Sequence, residues 1–240
     1  GMPGSGKTMV LAGLIKYASN IQNLDNGGIT IKTDNDKGYR YAGLIEESIN
    51  RGHTMPPTPS ASVNYISAVL SYGQKRYPMS ILEISGEYFK SSYENGGIEE
   101  TLGNGKSPKD YLKNSNPKVI FLVIDYSADI LEDANIIEQR RMLDFFLGKM
   151  ESDGFLENTV TIQINVTKTD MMNLNHGTVV EQTSEFINNY YISLINNIKE
   201  YNKKYTINKA RKNKAIVSSF SLGNFMLGRV FDYNDTDSAN

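Results

Sequence analysis

The chain has no cysteine, which excludes disulfide staples and thiolate metal sites and suits a reducing cytosol; a cytoplasmic location is the expectation. Histidine is nearly absent: His53 and His176 are the two present, a poor basis for an imidazole zinc site. No stretch approaches the roughly 20 consecutive apolar residues of a membrane-spanning helix. The longest, Val119 to Ile124, has the length of a buried strand. A basic excess is missing too. With 25 Lys and Arg against 27 Asp and Glu, the net charge is −2, which argues against nucleic acid and anionic membranes as partners. What remains is 240 residues, 39% of them hydrophobic, enough for one large α/β domain with a full core or two small ones.

Apolar periodicity orders the chain. Met9, Val10, Leu11, Leu14, Ile15 and Ala18 repeat at helical spacing and predict a helix from about Lys7 to Ile21. A short strand at Ile29–Lys32 and a helix at Tyr39–Asn50 follow. Pro56, Pro57 and Pro59 make 51–60 a loop. Strands are expected at Val63–Tyr72 and Met79–Ile84, joined as a β-hairpin through Gly73-Gln74-Lys75-Arg76. The polar, Gly- and Asn-rich stretch Lys90–Pro117 shows weak helical patches and reads as a mobile segment. Lys118–Tyr126 is an apolar strand of the kind buried on both faces. Then come a helix at Ile130–Met150, a strand at Thr159–Val166, one long helix at Glu181–Tyr205 and a strand at Ala215–Ser219. Strands alternating with helices in the second half predict parallel βαβ units. With the antiparallel hairpin, the expected architecture is α/β: one mixed, mostly parallel sheet with helices on both faces, in three layers.

The first eight residues, Gly1-Met2-Pro3-Gly4-Ser5-Gly6-Lys7-Thr8, fit G-x-x-x-x-G-K-[ST] at every fixed position. The glycines let backbone N–H groups close on phosphate oxygens, and the helix beginning at Lys7 adds its positive dipole end. Lys7 supplies a point charge for the β- and γ-phosphates, and Thr8 a hydroxyl for Mg²⁺. The expected nucleotide contacts are therefore Gly1, Pro3, Gly4, Ser5, Gly6, Lys7 and Thr8. Phosphate loops follow a buried strand, so a hydrophobic strand before Gly1 is expected, and Asp235-Thr236-Asp237-Ser238 could cap a closing helix beyond the tail.

Later segments choose among nucleotide-binding chemistries. Glu83-Ile84-Ser85-Gly86-Glu87 is similar to the D-x-x-G turn of GTPases, with Glu in the place of the acid and Glu87 where Ras-like proteins often carry Gln. Thr167-Lys168-Thr169-Asp170 resembles the guanine-reading N-K-x-D motif. Ser218-Ser219-Phe220-Ser221-Leu222-Gly223 lies where GTPases set a short loop against the guanine oxygen. Thr58, or failing that Thr54, stands where a switch threonine for Mg²⁺ belongs. In this order the segments resemble the TRAFAC-type GTPases of the Ras/Arf-like branch, and the Gly-His-Thr-Met-Pro-Pro-Thr-Pro and Ile-Ser-Gly-Glu segments look like the bacterial double-GTPase group. The resemblance implies GTP as ligand or substrate and Mg²⁺ on Thr8, Thr58 and, through water, Glu83. It implies that Gly86 senses the γ-phosphate and Glu87 influences the attacking water, with Lys7 as the third catalytic residue. Thr167, Lys168 and Asp170 would read guanine, helped by Ser221 and Leu222. The whole chain would form one such domain, switching at 51–60 and 86–117 and answering to a protein effector or activator that the sequence does not name.

Three rivals stay open. Val119–Asp125 also looks like a Walker B strand, with Asp125 as the metal acid of an ATPase. A small-molecule kinase would use arginines over the phosphates, and Arg140-Arg141 is the one pair. Glu at both 83 and 87 suits a scaffold that binds nucleotide and hydrolyses little.

Overall fold

A computed structural model describes residues 3–20, 29–33, 43, 47, 63–97, 108–127, 133–172, 177–221 and 231–232. The chain divides into two compact units, Gly6–Tyr88 and Gly1–Ser5 with Phe89–Asn240.

In the first unit, helix α1 (Lys7–Asn20) precedes the strands β1 (Ile29–Thr33), β2 (Val63–Tyr72) and β3 (Lys75–Ile84). They form an antiparallel sheet in the order β1-β2-β3. The alternation of V-N-Y-I-S-A-V-L-S-Y in β2 puts Ile66, Ala68 and Leu70 on one face. There Ile31 and Ala68 are buried, and Leu14, Leu70 and Met79 pack against them. The hairpin turns through Gly73-Gln74 alone, with Gly73 at φ 57°, a two-residue connection of the kind favoured between twisted strands. Lys75 and Arg76, expected in the turn, are therefore the first residues of β3.

The second unit holds the 3-10 and helical connections and a four-stranded sheet. Its elements are α2 (Gly86–Glu94, which begins in the first unit), α3 (Pro108–Leu112), β4 (Lys118–Asp125), α4 (Asp133–Ser152), β5 (Thr159–Thr167), α5 (Val179–Tyr190), α6 (Ile192–Tyr205), β6 (Ile216–Phe220) and β7 (Phe231–Asp232). The order is β4-β5-β6-β7; the first three are parallel, as the βαβ pattern predicts, and β7 is antiparallel to β6. The core gathers Leu122, Ile124, Met142, Leu147, Ile162, Ile164, Leu194 and Ile198, each at most 4% exposed.

The fold is thus α/β, but among the described residues its strands form two hydrogen-bonded sheets instead of the single mixed sheet expected. Local pattern identifies a hairpin or a βαβ partner; it does not reveal whether β3 and β4, separated by α2 and α3, share a ladder. Three further expectations are refined. β4, at the end of the sheet among the described residues, is covered on both faces only in its second half, where Leu122, Val123 and Ile124 are buried, while Val119 and Phe121 are 47% and 46% exposed. The weak helical patches expected in 90–117 are realised as the end of α2, which starts earlier, at Gly86, and buries Tyr88 and Phe89, and as the short α3. The long helix at 181–205 is two helices meeting at Tyr191, whose backbone leaves helical geometry at φ −127° and ψ 15°. At this break the Tyr191 ring is fully buried, and its hydroxyl accepts a hydrogen bond from Gln139 Nε2 at 2.7 Å. The start of α5 is fixed by a capping box in which Thr178 and Glu181 satisfy each other's backbone N–H. The expected helix at 39–50 lies almost wholly outside the described residues.

Buried amides finish the parallel sheet where neighbouring strands fall short. Asn202, fully buried on α6, accepts from the Ile162 N–H at 3.1 Å and donates to the carbonyls of Ile162 (3.3 Å) and Lys214 (2.7 Å). Removing it leaves the two buried backbone groups of Ile162 and the part-buried Lys214 carbonyl without this partner, so Asn202→Ala is expected to lose about 3 kcal/mol of stability. A lowered urea midpoint at unchanged m is the readout. No helix among the described residues is long and apolar enough to cross a membrane.

Candidate phosphate and base site

Gly4 and Gly6 have φ 71° and 79°, left-handed values at which any side chain would be strained, so the two glycines shape the turn before α1. Pro3 and Gly4 are exposed and Ser5 is fully buried. Helix α1 begins at Lys7, closes its first turn with Val10 N–H on the Gly6 carbonyl at 2.9 Å, and has no acidic residue in that turn. Its amide end therefore keeps the partial positive charge that favours an anion.

In the first unit the hydroxyl of Thr8 donates to Glu83 Oε1. Asn64 Nδ2 donates to the other oxygen, Oε2, at 3.2 Å. Glu83 is 6% exposed, so the acid of the E-x-x-G turn is a buried partner of the loop threonine and not a surface residue. Burial pushes the Lys7 ammonium down from 10.5 to about 8, while the charges of Glu83 and then Glu87 pull it back up. Ser85 accepts the Tyr88 N–H at 3.1 Å, the i to i+3 pattern of an N-cap. That cap makes Gly86 the first residue of a helix and leaves Glu87 exposed in its first turn.

In the second unit the Thr167 hydroxyl lies 2.7 Å from the Ser5 carbonyl and 3.0 Å from that of Ile124. It joins the glycine-rich turn to the ends of β4 and β5. Lys168 follows in the left-handed conformation, φ 58° and ψ 33°. Its Nζ lies 2.6 Å from Asp125 Oδ2 and 3.0 Å from Ser127 Oγ. Asp170 sits exposed in the 3-10 turn Thr169–Met171, where its carboxylate can accept from an incoming donor pair.

The serine segment begins within the last parallel strand, as the expected strand at 215–219 implies. Ser218 and Ser219 lie inside β6, and Ser218 Oγ spends its hydrogen bond on Asn165 Oδ1 of β5. Ser221, half-buried, is the first residue past the strand. Gly1, Thr54, Thr58 and Leu222 fall outside the described residues. Among the described residues no group of three or more His, Cys, Asp or Glu side chains gathers as a metal site. The Thr8 hydroxyl beside the Glu83 carboxylate is nonetheless a fitting donor set for Mg²⁺, which takes hard oxygens and in nucleotide sites keeps waters and phosphate oxygens as its other ligands.

Two participants escaped the sequence. Asn64 faces Glu83 only if the hairpin turn is two residues long, because Tyr72 opposite Lys75 brings 64 opposite 83. Ser127 stands two residues beyond Asp125 and gave no signal of its own. Comparison of the chain with protein-family models, with curated protein sequences and with solved structures returns no match.

Proposed function

We propose that this chain binds a nucleoside triphosphate, with guanine preferred, and works as a switch that hydrolyses GTP slowly. The observation that carries the proposal is the meeting of Thr8 with Glu83 beside a half-buried Lys7. Two segments 75 residues apart, singled out separately as phosphate loop and acid-bearing switch turn, supply a cation, a hydroxyl and a carboxylate to one place. Lys7 and the backbone N–H groups of 4–8 would hold the phosphates. Thr8 and Glu83, with Thr58, would hold Mg²⁺, which when bound neutralises charge on the β- and γ-oxygens. The Gly86 N–H, at the start of α2, would sense the γ-phosphate. Glu87 can accept a proton from water but offers no donor to the phosphate, consistent with slow turnover. Lys168 and Asp170 would cover and read the base. An unidentified protein would supply activation or receive the signal.

Competition of GTP and ATP for the protein, with Mg²⁺ present, tests this reading; equal affinity for the two ends the guanine assignment. Single-turnover hydrolysis of GTP separates the slow enzyme from a scaffold that only binds. The ATPase reading needs Asp125 as the metal acid, and both its oxygens are taken, one by Lys168 and the other by Ser127. The oxygens of Glu83 are held as well, by Thr8 and Asn64, but Thr8 is the residue that would share the ion, and this favours Glu83 as the metal acid.

The depressed Lys7 gives a pH signature with two opposite slopes. Folded Lys7 releases its proton near pH 8 and unfolded lysine near 10.5. Between those values the unfolded chain holds more protons, so this group's cost to stability is full below pH 8 and disappears by 10.5: stability rises with pH. Phosphate needs the ammonium, so triphosphate affinity falls above pH 8, approaching about tenfold per pH unit. Thermal melts and calorimetric titrations from pH 7 to 10 are expected to show both trends, and a flat affinity profile would remove Lys7 from the phosphate site.

A further inference from the structure

We infer that Asp125 and Ser127 are positioning residues for base recognition: they fix Lys168 and, through its backbone, the turn that presents Asp170. The inference rests on the reading of Thr167-Lys168-Thr169-Asp170 as the base-reading segment. It concerns residues that the expected motif does not include.

The three side chains close a ring. Lys168 Nζ donates to Asp125 Oδ2 at 2.6 Å and to Ser127 Oγ at 3.0 Å. Ser127 in turn donates to Asp125 Oδ1 twice, from its N–H at 2.9 Å and its hydroxyl at 2.7 Å. Both carboxylate oxygens are thus engaged, and the Asp125 side chain is 13% exposed against 38% for Lys168. The ring stands on a fixed base. The Asp125 N–H donates to Gln139 Oε1 at 2.9 Å, and Gln139 Nε2 donates to the Tyr191 hydroxyl. Gln139 and Tyr191 are both fully buried, so the end of β4 is pinned from within the core, and the break between α5 and α6 places the ring that pins it.

The consequence reaches Asp170 through the chain. A lysine stem free in water samples many rotamers; held at its tip by two acceptors it keeps one course. Its residue also has the left-handed backbone that non-glycine residues seldom adopt. The next turn closes on the same residue, with the Met171 N–H donating to the Lys168 carbonyl at 3.0 Å. Asp170 lies inside that turn. Half-exposed ion pairs add little to stability, so the effect expected of this pair is on direction: it aims the stem that would cover a base and steadies the acid that would accept from it.

The test is displacement of a fluorescent GTP analogue by GTP and by ATP, with Mg²⁺, from wild type, Asp125→Asn and Ser127→Ala. Asp125→Asn keeps the shape and removes the charge that holds Lys168. Misplacement of a recognition group by about 1 Å can cost about a hundredfold, so the GTP-over-ATP ratio is expected to fall by between about tenfold and a hundredfold. Ser127→Ala is expected to lower it less, because the backbone N–H of residue 127 still reaches Asp125. ATP affinity and the thermal midpoint should change far less than the ratio. A wild-type ratio in Asp125→Asn overturns the inference and leaves the base reading standing. Equal loss of both nucleotides, or a lowered melting temperature with the ratio intact, assigns the ring to metal or to structure and overturns it as well. Should Asp125→Asn fail to fold, the ratio in Ser127→Ala decides. A wild type without base preference removes the base reading and this inference together.

Discussion

Lys7→Ala is expected to weaken triphosphate binding by about 10²- to 10³-fold, the effect of deleting one member of a desolvated charge pair. Calorimetric titration with GTP and Mg²⁺ measures it. The lysine sits at the first residue of α1, where the amide end of the helix already favours an anion and burial has stripped its own hydration. A phosphate replaces the lost water; alanine replaces nothing. Arginine is not expected to rescue, since a planar guanidinium is bulkier than the compact ammonium. Affinity that survived Lys7→Ala would mean the phosphates, if bound at all, are held elsewhere.

Asp170→Ala carries the second large effect. A site that hydrogen-bonds a polar edge rejects the analogue lacking it, by about 10⁴-fold when the site's own group is buried and left unpaired and by less for an acid as exposed as Asp170. Guanine offers N1–H and its 2-amino group as a donor pair; adenine has neither. In wild type, GTP is therefore expected to outcompete ATP strongly, and in Asp170→Ala the two should become nearly equal, mostly through loss of GTP affinity. Asp170 lies exposed on a short 3-10 turn, so the substitution should leave stability unchanged, which separates a lost contact from a damaged fold. A GTP preference that persists in the variant would take base reading away from this turn.

Much of the fold was legible because its elements advertise themselves locally. The apolar repeat after Lys7 yields α1, and the alternation in β2 yields one arm of the hairpin. The β-branched run T-V-T-I-Q-I-N-V-T yields the central strand β5. What was not legible depends on distance or on a single buried contact. Whether two strands pair across 33 residues is decided by tertiary packing, so one sheet was expected where the described residues form two. Nothing in the helical periodicity of 181–205 marks Tyr191 as the break, because its partner Gln139 lies 52 residues away. At the candidate site, Lys7, Thr8 and Glu83 could be named from motif spacing, but the bond between Thr8 and Glu83 could not. Asp125 was noticed as the metal acid of a rival reading, at the end of an apolar strand; that its carboxylate meets Lys168, 43 residues away, could not be read from the sequence.

Lys168 has a consequence for how this protein could be improved. Its left-handed backbone is one that glycine or asparagine would adopt with less strain, so any search for heat-tolerant variants will be drawn to that position. The gain would come at the expense of the long cationic arm, and with it the hold on Asp125 and Ser127. Residue 168 is a place where hardening the scaffold and keeping its purpose select opposite amino acids, and a screen on melting temperature alone would discard the lysine.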